Sequence, residues 1–495
     1  MRYDVIIIGS GFSGSILARI LASRGLSILL IDRARHPRFV IGESSTPIAD
    51  LLLRRIGLQY GFDDLVSMST YDGWQQRFPK LACGLKRGFS YFDHRPVNTT
   101  RRESVLGERS LLVAASPSDE SSDTHWYRKD VDMYHFGMAA EAGVDCLESV
   151  QVIDFHSEDT NGPATVTLNN GTKATGEFVV DASGAGTVTA RFAKQSAITE
   201  QLTTRTCATF AHYDNVQPFT TEFNSIHSDQ RASVPFDSDN AAQHHLIDGG
   251  WVWMLRMNNG ITSVGVTLSA GLTHESEQEA RRKCYELLDQ RLDAYPSLHH
   301  ILKYAQRVEP CDDMICLPRL QRLYDPVISQ NCVMTPTTAA MIDPLHSTGI
   351  AHALSGVHRI AELILGQKAH DAESLEQYRS SVVEEAKLID QLVNIAYGSM
   401  RSFRRFTAAT MIYFAAAINC EEAIIDGEVP DYLWMCGDTE FRNVVNQCQS
   451  LLFGDQPDDV VIDSIRSLIQ PFNHVGLMDD TLHNRYAYTA TKTSL

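Results

Sequence analysis

Residues Tyr3 to Asp32 read YDVIIIGSGFSGSILARILASRGLSILLID, and no other stretch constrains the fold as tightly. Tyr3 to Ile8 is a β-branched run of the kind that forms a buried strand. Gly9, Gly11 and Gly14 follow at GxGxxG spacing, an apolar-periodic helix runs to about Arg24, and Gly25 ends it. Ser27 to Ile31 reads as a second strand with Asp32 at its end. Gly9 allows the tight turn, Gly11 lets a pyrophosphate approach the backbone, and Gly14 lets the helix lie close to the strand. The helix start, with Phe12 and Ser13, offers free N–H groups and partial positive charge to phosphates. Asp32 is placed to accept hydrogen bonds from a ribose. GxGxxG alone is a weak signal, but strand, glycines, helix, strand and acid in this order predict a dinucleotide-binding unit.

The chain has 495 residues, enough for two or three domains. Its 43% hydrophobic and 21% charged residues are the balance of a soluble globular protein. A formal charge of −18 argues against nucleic acid, whose phosphates it would repel. No apolar stretch reaches the roughly eighteen residues of a membrane span. The longest, Thr407 to Cys420, reads as a core helix. Met1 leads straight into the first strand without a basic leader, which predicts a cytoplasmic protein. Ten cysteines without CxxC and eighteen histidines without HExxH predict reduced thiols and no protein-bound metal.

After Asp32, Arg33 and Arg35 could meet phosphate or adenine, or simply be solvated. Gly42-Glu43-Ser44-Ser45-Thr46-Pro47 is a turn opening a helical stretch from Ile48 to Ile56. Leu81 to Phe92 reads as a strand broken by two glycines, and residues 93–125 as a long loop with little periodicity. Trp126-Tyr127-Arg128-Lys129-Asp130 leads into a helix ending near Gly143. Val150 to Phe155 and Ala164 to Leu168 read as strands, Asn169-Asn170-Gly171 as a hairpin turn, and Phe178 to Val180 as a strand ending in Asp181-Ala182-Ser183-Gly184. Residues 205–270 read as a second, antiparallel sheet, in which Asn258-Asn259-Gly260 turns Trp251–Met257 into Ile261–Leu268. Ser276 caps a charged helix running to Gln290. Asn331 to Ile342 returns to the style of the first domain, and the chain is mostly helical from about Asp371. The expected architecture is α/β (α+β). A cofactor domain is split between residues 1–200 and 305–365, a β-sheet substrate domain is inserted at 201–304, and a helical region covers 366–495.

This arrangement resembles the FAD-dependent monooxygenase superfamily, with its glutathione-reductase-like FAD-binding fold. GSGFSG, Asp32, the Trp126–Asp130 segment and DASG at Asp181–Gly184 carry that likeness. Within it the chain is most similar to the flavin-dependent halogenases, particularly the branch acting on free phenolic compounds. GESSTP at 42–47 resembles the family's segment along the isoalloxazine. ACGLKRGFSYF carries Lys86 where these enzymes keep their active-site lysine. WVWML at 251–255 resembles the WxWxIP signature, and DPLHSTGI at 343–350 the segment that closes over the flavin and holds the halide. The chain departs from the family in having Leu255-Arg256 for Ile-Pro, and His346 where tryptophan halogenases carry a glutamate paired with the lysine. Flavin hydroxylases usually carry Gly-Asp-Ala before the segment at 343; Met334 to Ala339 stands here instead, with neither that glycine nor that aspartate.

The resemblance implies that reduced FAD and oxygen convert a halide ion into hypohalous acid. FAD would be held by Gly9, Gly11, Phe12, Ser13, Gly14, Asp32, Glu43, Ser44, Arg128, Asp181, Asp343, Gly349 and Ile350. Backbone N–H groups of Ser347, Thr348 and Gly349 would cradle the halide. Lys86 would polarise the acid or form a haloamine, a task Arg87 on the opposite strand face could not share. Taken without the resemblance, Lys86 reads as a solvated strand lysine. His346 would contact or deprotonate a phenol, against the plainer role of a hydrogen-bonded structural histidine. Trp251 and Trp253 lie on one side of their strand and would line the substrate pocket, or else form a core aromatic stripe. With no second glycine fingerprint, a separate flavin reductase is implied as the source of reduced FAD. Two alternatives stand beside this reading: a hydroxylase or epoxidase of the same fold, and a catalytically silent flavin-binding protein.

Overall fold

The computed structural model describes residues 1–95, 109–157, 162–192, 195–220, 234–270, 276–329 and 331–487. β1 (Arg2–Ile8), α1 (Phe12–Ser23) and β2 (Ile28–Ile31) form the opening unit, with β1 and β2 parallel and Ile8 opposite Ile31. α2 (Pro47–Tyr60) starts where the turn predicts: Thr46 caps it by accepting from the Ala49 amide, and Pro47 stands in its first turn.

The broken strand at Leu81–Phe92 is two strands, β3 (Cys83–Lys86) and β4 (Gly88–Asp93), parted at Arg87. The expected loop at 93–125 is corrected in part. Residues 96–108 lie outside the described residues, but β5 (Ser110–Ala114) and β6 (Asp123–Trp126) are strands in which every residue is buried. Polar Asp123, Thr124 and His125 hid the second strand, because they face a polar interior rather than solvent. β4 and β5 pair so closely that a Cβ on Gly88 would lie 2.1 Å from the Val113 carbonyl oxygen.

Beyond the helix Arg128–Glu141 come β7 (Asp145–Leu147), β8 (Val152–Ser157), β9 (Ala164–Leu168) and β10 (Lys173–Asp181). The first sheet runs in the order Ile328–Ser329, Cys332–Met334, β10, β1, β2, β7, with β8 and β9 as an antiparallel flank of β10. β10 is parallel to β1 and to Cys332–Met334, so the chain does return to this sheet after the second one.

After the short β11 (Ser196–Ala197), the second sheet is built from β12 (Thr206–Asp214), β13 (Ala242–Ile247), β14 (Gly250–Arg256), β15 (Thr262–Ser269) and β16 (Gln306–Glu309). Its order is β16-β12-β15-β14-β13-β4-β5, closed by Arg485–Tyr486. The β12, β15, β14 and β13 contacts are antiparallel, and β13 meets β4 in parallel. The sheet therefore reaches beyond 201–304, taking β4 and β5 from before it and β16 from after.

The tail is helical as expected. Its helix Phe403–Ile425 corrects one reading: at 23 residues it is long and apolar enough by composition to cross a membrane. It serves as a core helix, with 78% of its apolar window buried inside the protein. It packs against the helix Ala372–Ser399 and against α2. The ten cysteines form no disulfide, and among the described residues no group of three His, Cys, Asp or Glu could hold a metal.

Candidate active site

The chain turns at Gly9 with φ +107°, a conformation L side chains rarely adopt, and a Cβ there would lie 2.4 Å from the Ala182 carbonyl oxygen. A Cβ on Gly14 would lie 2.0 Å from the Gly9 carbonyl oxygen. Gly11 is different: the nearest atoms to a Cβ would be Arg128 Nη2 and Asp132 Oδ2 at 3.7 Å and Arg38 Nη2 at 3.8 Å. Two glycines are thus required by packing, and the third opens onto two guanidinium groups.

Arg128 grips Asp132 through Nε at 2.8 Å and Nη2 at 2.9 Å, and donates to the carbonyls of Ile41 and Gly42 at 3.1 Å. Its guanidinium lies 4.6 Å from the Phe12 ring centroid, and the Phe12 amide donates to Asp132 at 3.2 Å. Ser13 is buried in the same helical turn. Asp32 accepts from the Ser10 amide and hydroxyl at 2.9 Å, the Ala34 amide at 2.8 Å and Arg38 at 3.3 Å. Burial alone would raise its pKa, but Arg38 and these hydrogen bonds hold it below the ordinary aspartate value. An open glycine, a helix start and two guanidinium groups suit the pyrophosphate of FAD. Arg33 and Arg35 are exposed, so the arginine of that segment that reaches the site is Arg38. Asp181 accepts from the amides and hydroxyls of Ser183 and Thr189, four bonds in all. Those bonds occupy a carboxylate's usual capacity, so Asp181 shapes its loop against Gly9 rather than reaching outward.

Residues 41–45 form a strap from this cradle to Lys86. Trp126 donates its amide to the Glu43 carbonyl at 2.6 Å, Ser45 its amide to Thr124 at 3.1 Å, and Ser44 bridges to His125. Lys86 is fully buried, and its Nζ donates to the Ser45 carbonyl and stands 4.0 Å from the Phe89 ring centroid. Arg87 turns the other way and pairs with Asp119 at 2.7 Å. In the β3–β6 pair Lys86 is directly opposite Asp123, also fully buried, and opposed residues share one face. Burial, with Lys86 as a further cause, holds His125 and His244 down to about 3, so both imidazoles are neutral. His244 stacks on Tyr91 at 4.4 Å and on Trp251 at 5.0 Å between ring centroids.

Trp251 and Trp253 do share a side, with ring centroids 6.0 Å apart. Trp251 Nε1 donates to the Tyr397 hydroxyl at 2.9 Å, beside the Lys86 cluster. Trp253 Nε1 donates to Ser263 at 3.2 Å, and the ring fills the space a side chain on Gly265 would take. Arg256, the departure from the tryptophan signature, is tied to Asp239 at 2.7 Å and to the Val216 carbonyl at 3.0 Å.

The segment 343–350 reaches the same region. Asp343 is buried and accepts from Thr206 at 2.8 Å, Tyr397 at 3.1 Å and the Leu345 amide at 3.1 Å. Burial pushes its pKa up to about 6. His346 stacks flat on Tyr413, with centroids 4.4 Å apart and an interplanar angle of 7°. Burial holds His346 down to about 3, and it is felt electrostatically by His244, as is Lys86. Ser347 is left-handed at φ +53°, which costs an L-residue about 1–2 kcal/mol. Its amide donates to the Pro344 carbonyl at 2.9 Å, so the expected three-amide halide cradle is corrected to two. Thr348 and Gly349 open the helix Gly349–Leu365, whose first amides have no intrahelical acceptors, and Ile350 is buried behind them.

Sequence reasoning missed Arg38, Asp132, Asp123, His125, His244, Tyr397 and Tyr413. Asp132 left a readable trace, four residues after Arg128 on one helix face. The others come together only through strand register and helix packing.

A family model described as tryptophan halogenase matches residues 123–406, and one for an NAD(P)-binding Rossmann-like domain matches residues 7–63. Monodechloroaminopyrrolnitrin halogenase PrnC of Pseudomonas fluorescens is 26% identical, over 94% of this chain and 84% of its own. Tetracycline 7-halogenase of Kitasatospora aureofaciens is 25% identical, over 84% and 73%. The fold is similar to that of the halogenase PltM in complex with phloroglucinol and FAD, with a TM-score of 0.84 at 21% identity, covering 99% of this chain and 100% of that one.

Proposed function

The chain belongs to the tryptophan halogenase family and is an FAD-dependent halogenase, and from that premise we propose that it halogenates a small, electron-rich phenolic aromatic with hypohalous acid delivered by Lys86. Reduced FAD and oxygen supply the oxidising equivalent that turns halide into hypohalous acid, and a separate flavin reductase provides the reduced cofactor. Arg38, Arg128 and the start of α1 hold the pyrophosphate. The Thr348 and Gly349 amides, at the positive end of their helix, hold the halide.

Lys86 Nζ donates a hydrogen bond to the hypohalous acid, which retains a poorly selective oxidant and polarises it toward the substrate. A buried ammonium needs a counter-charge, and Asp123, its cross-strand neighbour in β6, is the carboxylate placed to supply it. The carbon–halogen bond forms on the ring as the halogen–oxygen bond breaks, and the ring proton leaves with the hydroxide as water. His346 accepts a hydrogen bond from the phenol hydroxyl; an imidazole with so low a pKa does so without keeping the proton. The complex of PltM with phloroglucinol supports a phenolic substrate.

The observation that carries this reading is the burial of Lys86 at the end of the strap that begins at the FAD cradle. It is tested by supplying FAD, a flavin reductase with NADH, oxygen, bromide or chloride, and a panel of phenols, with products followed by mass spectrometry. Halogenated product is expected, and Lys86→Ala lowers its rate by about 10³-fold while reduced FAD is still reoxidised. Oxygenated product formed without halide and indifferent to Lys86→Ala would overturn the proposal.

A further inference from the structure

Beside the strap runs a buried charged chain that no step above uses. Glu43 Oε1 lies 2.9 Å from His212 Nε2, with both side chains 1% exposed. His212 Nδ1 lies 3.6 Å from Glu309 Oε2. Glu309 pairs with Lys129 and accepts from the Tyr127 hydroxyl at 3.2 Å. Side-chain exposure rises to 12% at Glu309 and 31% at Lys129, so the chain leads from the interior to the surface. The sheet builds this geometry: His212 and Glu309 are cross-strand partners in β12 and β16, and the register slips between His212 and Tyr213. Such a bulge re-aims a side chain. Phe39 packs edge-on against the His212 ring at 4.8 Å, and the Tyr127 ring lies 5.5 Å away.

The charged and titratable groups facing His212 are Glu43 from the strap, Glu309 from β16, and Tyr127 and Lys129, with Asp130 behind them, from the start of the helix Arg128–Glu141. Burial disfavours the imidazolium, but Glu43 and Glu309 outweigh it and hold the histidine above its ordinary value. An imidazole between two carboxylates can take a proton on one nitrogen and release one from the other.

We propose that His212 is a proton relay between solvent and the flavin pocket. This rests on the halogenase reading, because reduced flavin, oxygen, halide and aromatic give oxidised flavin, haloarene and two waters only when a proton is drawn from solution. Glu309 takes that proton from water. Among the described residues His212 Nδ1 has no hydrogen-bond partner at rest, so Glu309 first closes the 3.6 Å gap. Its O–H bond then breaks as the bond to Nδ1 forms, and the Nε2–H bond breaks as an O–H bond forms on Glu43. Rotation of the ring restores the starting tautomer. Glu43 is the buried inner end of the relay, in the strap whose Gly42 carbonyl accepts from Arg128 of the cradle.

The test uses stopped-flow reoxidation of enzyme-bound reduced FAD with bromide across pH. In Glu309→Gln and His212→Gln the rate falls by about 10²-fold, its pH inflection disappears, and added imidazole restores it, while FAD affinity is kept. A purely structural ion pair would instead weaken FAD binding and leave the pH profile unmoved, which overturns the proposal. Histidine ¹⁵N NMR on the FAD-free protein gives a second readout. His212 titrates above the ordinary histidine range, and Glu43→Gln moves it down. An ordinary titration indifferent to Glu43→Gln overturns the relay even if the other variants do not fold. Neither measurement depends on which product forms, so loss of the halogenase reading would show separately, as absent haloarene.

Discussion

At Asp343, burial lifts the carboxyl pKa from 3.8 to about 6, against the pull of hydrogen bonds from Thr206, the Leu345 amide and Tyr397. The folded protein therefore binds this proton more tightly than the unfolded chain. Its contribution to stability is fully present below the unfolded value, is lost as pH rises through about 6, and is level above that. Two pKa units correspond to about 3 kcal/mol. Urea denaturation at several pH values should show Asp343→Asn losing about 3 kcal/mol less than the wild type between pH ~4 and pH ~7. The neighbouring His346 makes the opposite case. Its ring is neutral across the working range, so it acts as an acceptor and gives no inflection in the pH profile. His346→Phe keeps the stack on Tyr413 and removes the acceptor. The KM for the phenol should rise by about tenfold, the worth of one hydrogen bond, while halide oxidation continues. An unchanged KM would remove His346 from the substrate site. Neither behaviour is legible in sequence, since both follow from full burial of a polar residue inside the conspicuous DPLHSTGI motif.

The glycine loop shows what an element's spacing does and does not reveal. GxGxxG at residues 9–14 predicts three different jobs, and the structure separates them by distance. Gly14→Ala would place a Cβ 2.0 Å from backbone and should destabilise the protein by about 3 kcal/mol or more in thermal or chemical unfolding. Gly11→Ala meets nothing closer than 3.7 Å and should fold with stability changed by less than about 1 kcal/mol. Its methyl group occupies the pyrophosphate's place, so FAD affinity, read by flavin fluorescence, should fall at least about tenfold. Gly11→Ala binding FAD normally would show that the cofactor does not approach this loop. The same local logic failed between residues 93 and 125. A strand of Asp123, Thr124 and His125 has the composition of a loop, and only its pairing with β3 shows that Asp123 and His125 share the buried face of Lys86. Strand periodicity detects apolar faces, and a strand whose buried face is polar gives no such signal.

Over the whole molecule, the tail was legible as helices but not as part of the site. Tyr397, on the helix Ala372–Ser399, joins the β14–β15 hairpin and the segment at Asp343, both far from it in sequence, at one point. Its hydroxyl accepts from Trp251 of β14, lies 2.9 Å from the Thr267 hydroxyl of β15, and donates to Asp343 of the segment returning from the first sheet. Tyr413, one helix further on, covers His346. No sequence separation rule finds contacts 146 residues apart, such as Trp251 with Tyr397; they exist because the helical tail packs on the second sheet. If that junction joins the parts energetically, Tyr397→Phe and Asp343→Asn must be non-additive. Tyr397→Phe strips a donor from Asp343 and an acceptor from Trp251, leaving buried polar groups unsatisfied at about 1–3 kcal/mol. With its charged form less well solvated, Asp343 should titrate still higher, and the pH-dependent loss of stability should grow. In Asp343→Asn that growth has nothing to act on. A double-mutant cycle in urea near neutral pH should therefore give an interaction energy of about 1 kcal/mol or more, shrinking toward zero near pH ~4, where folded Asp343 is protonated with or without the Tyr397 hydroxyl. Additivity at every pH would mean that the tail packs on the sheet without coupling to the Asp343 carboxyl.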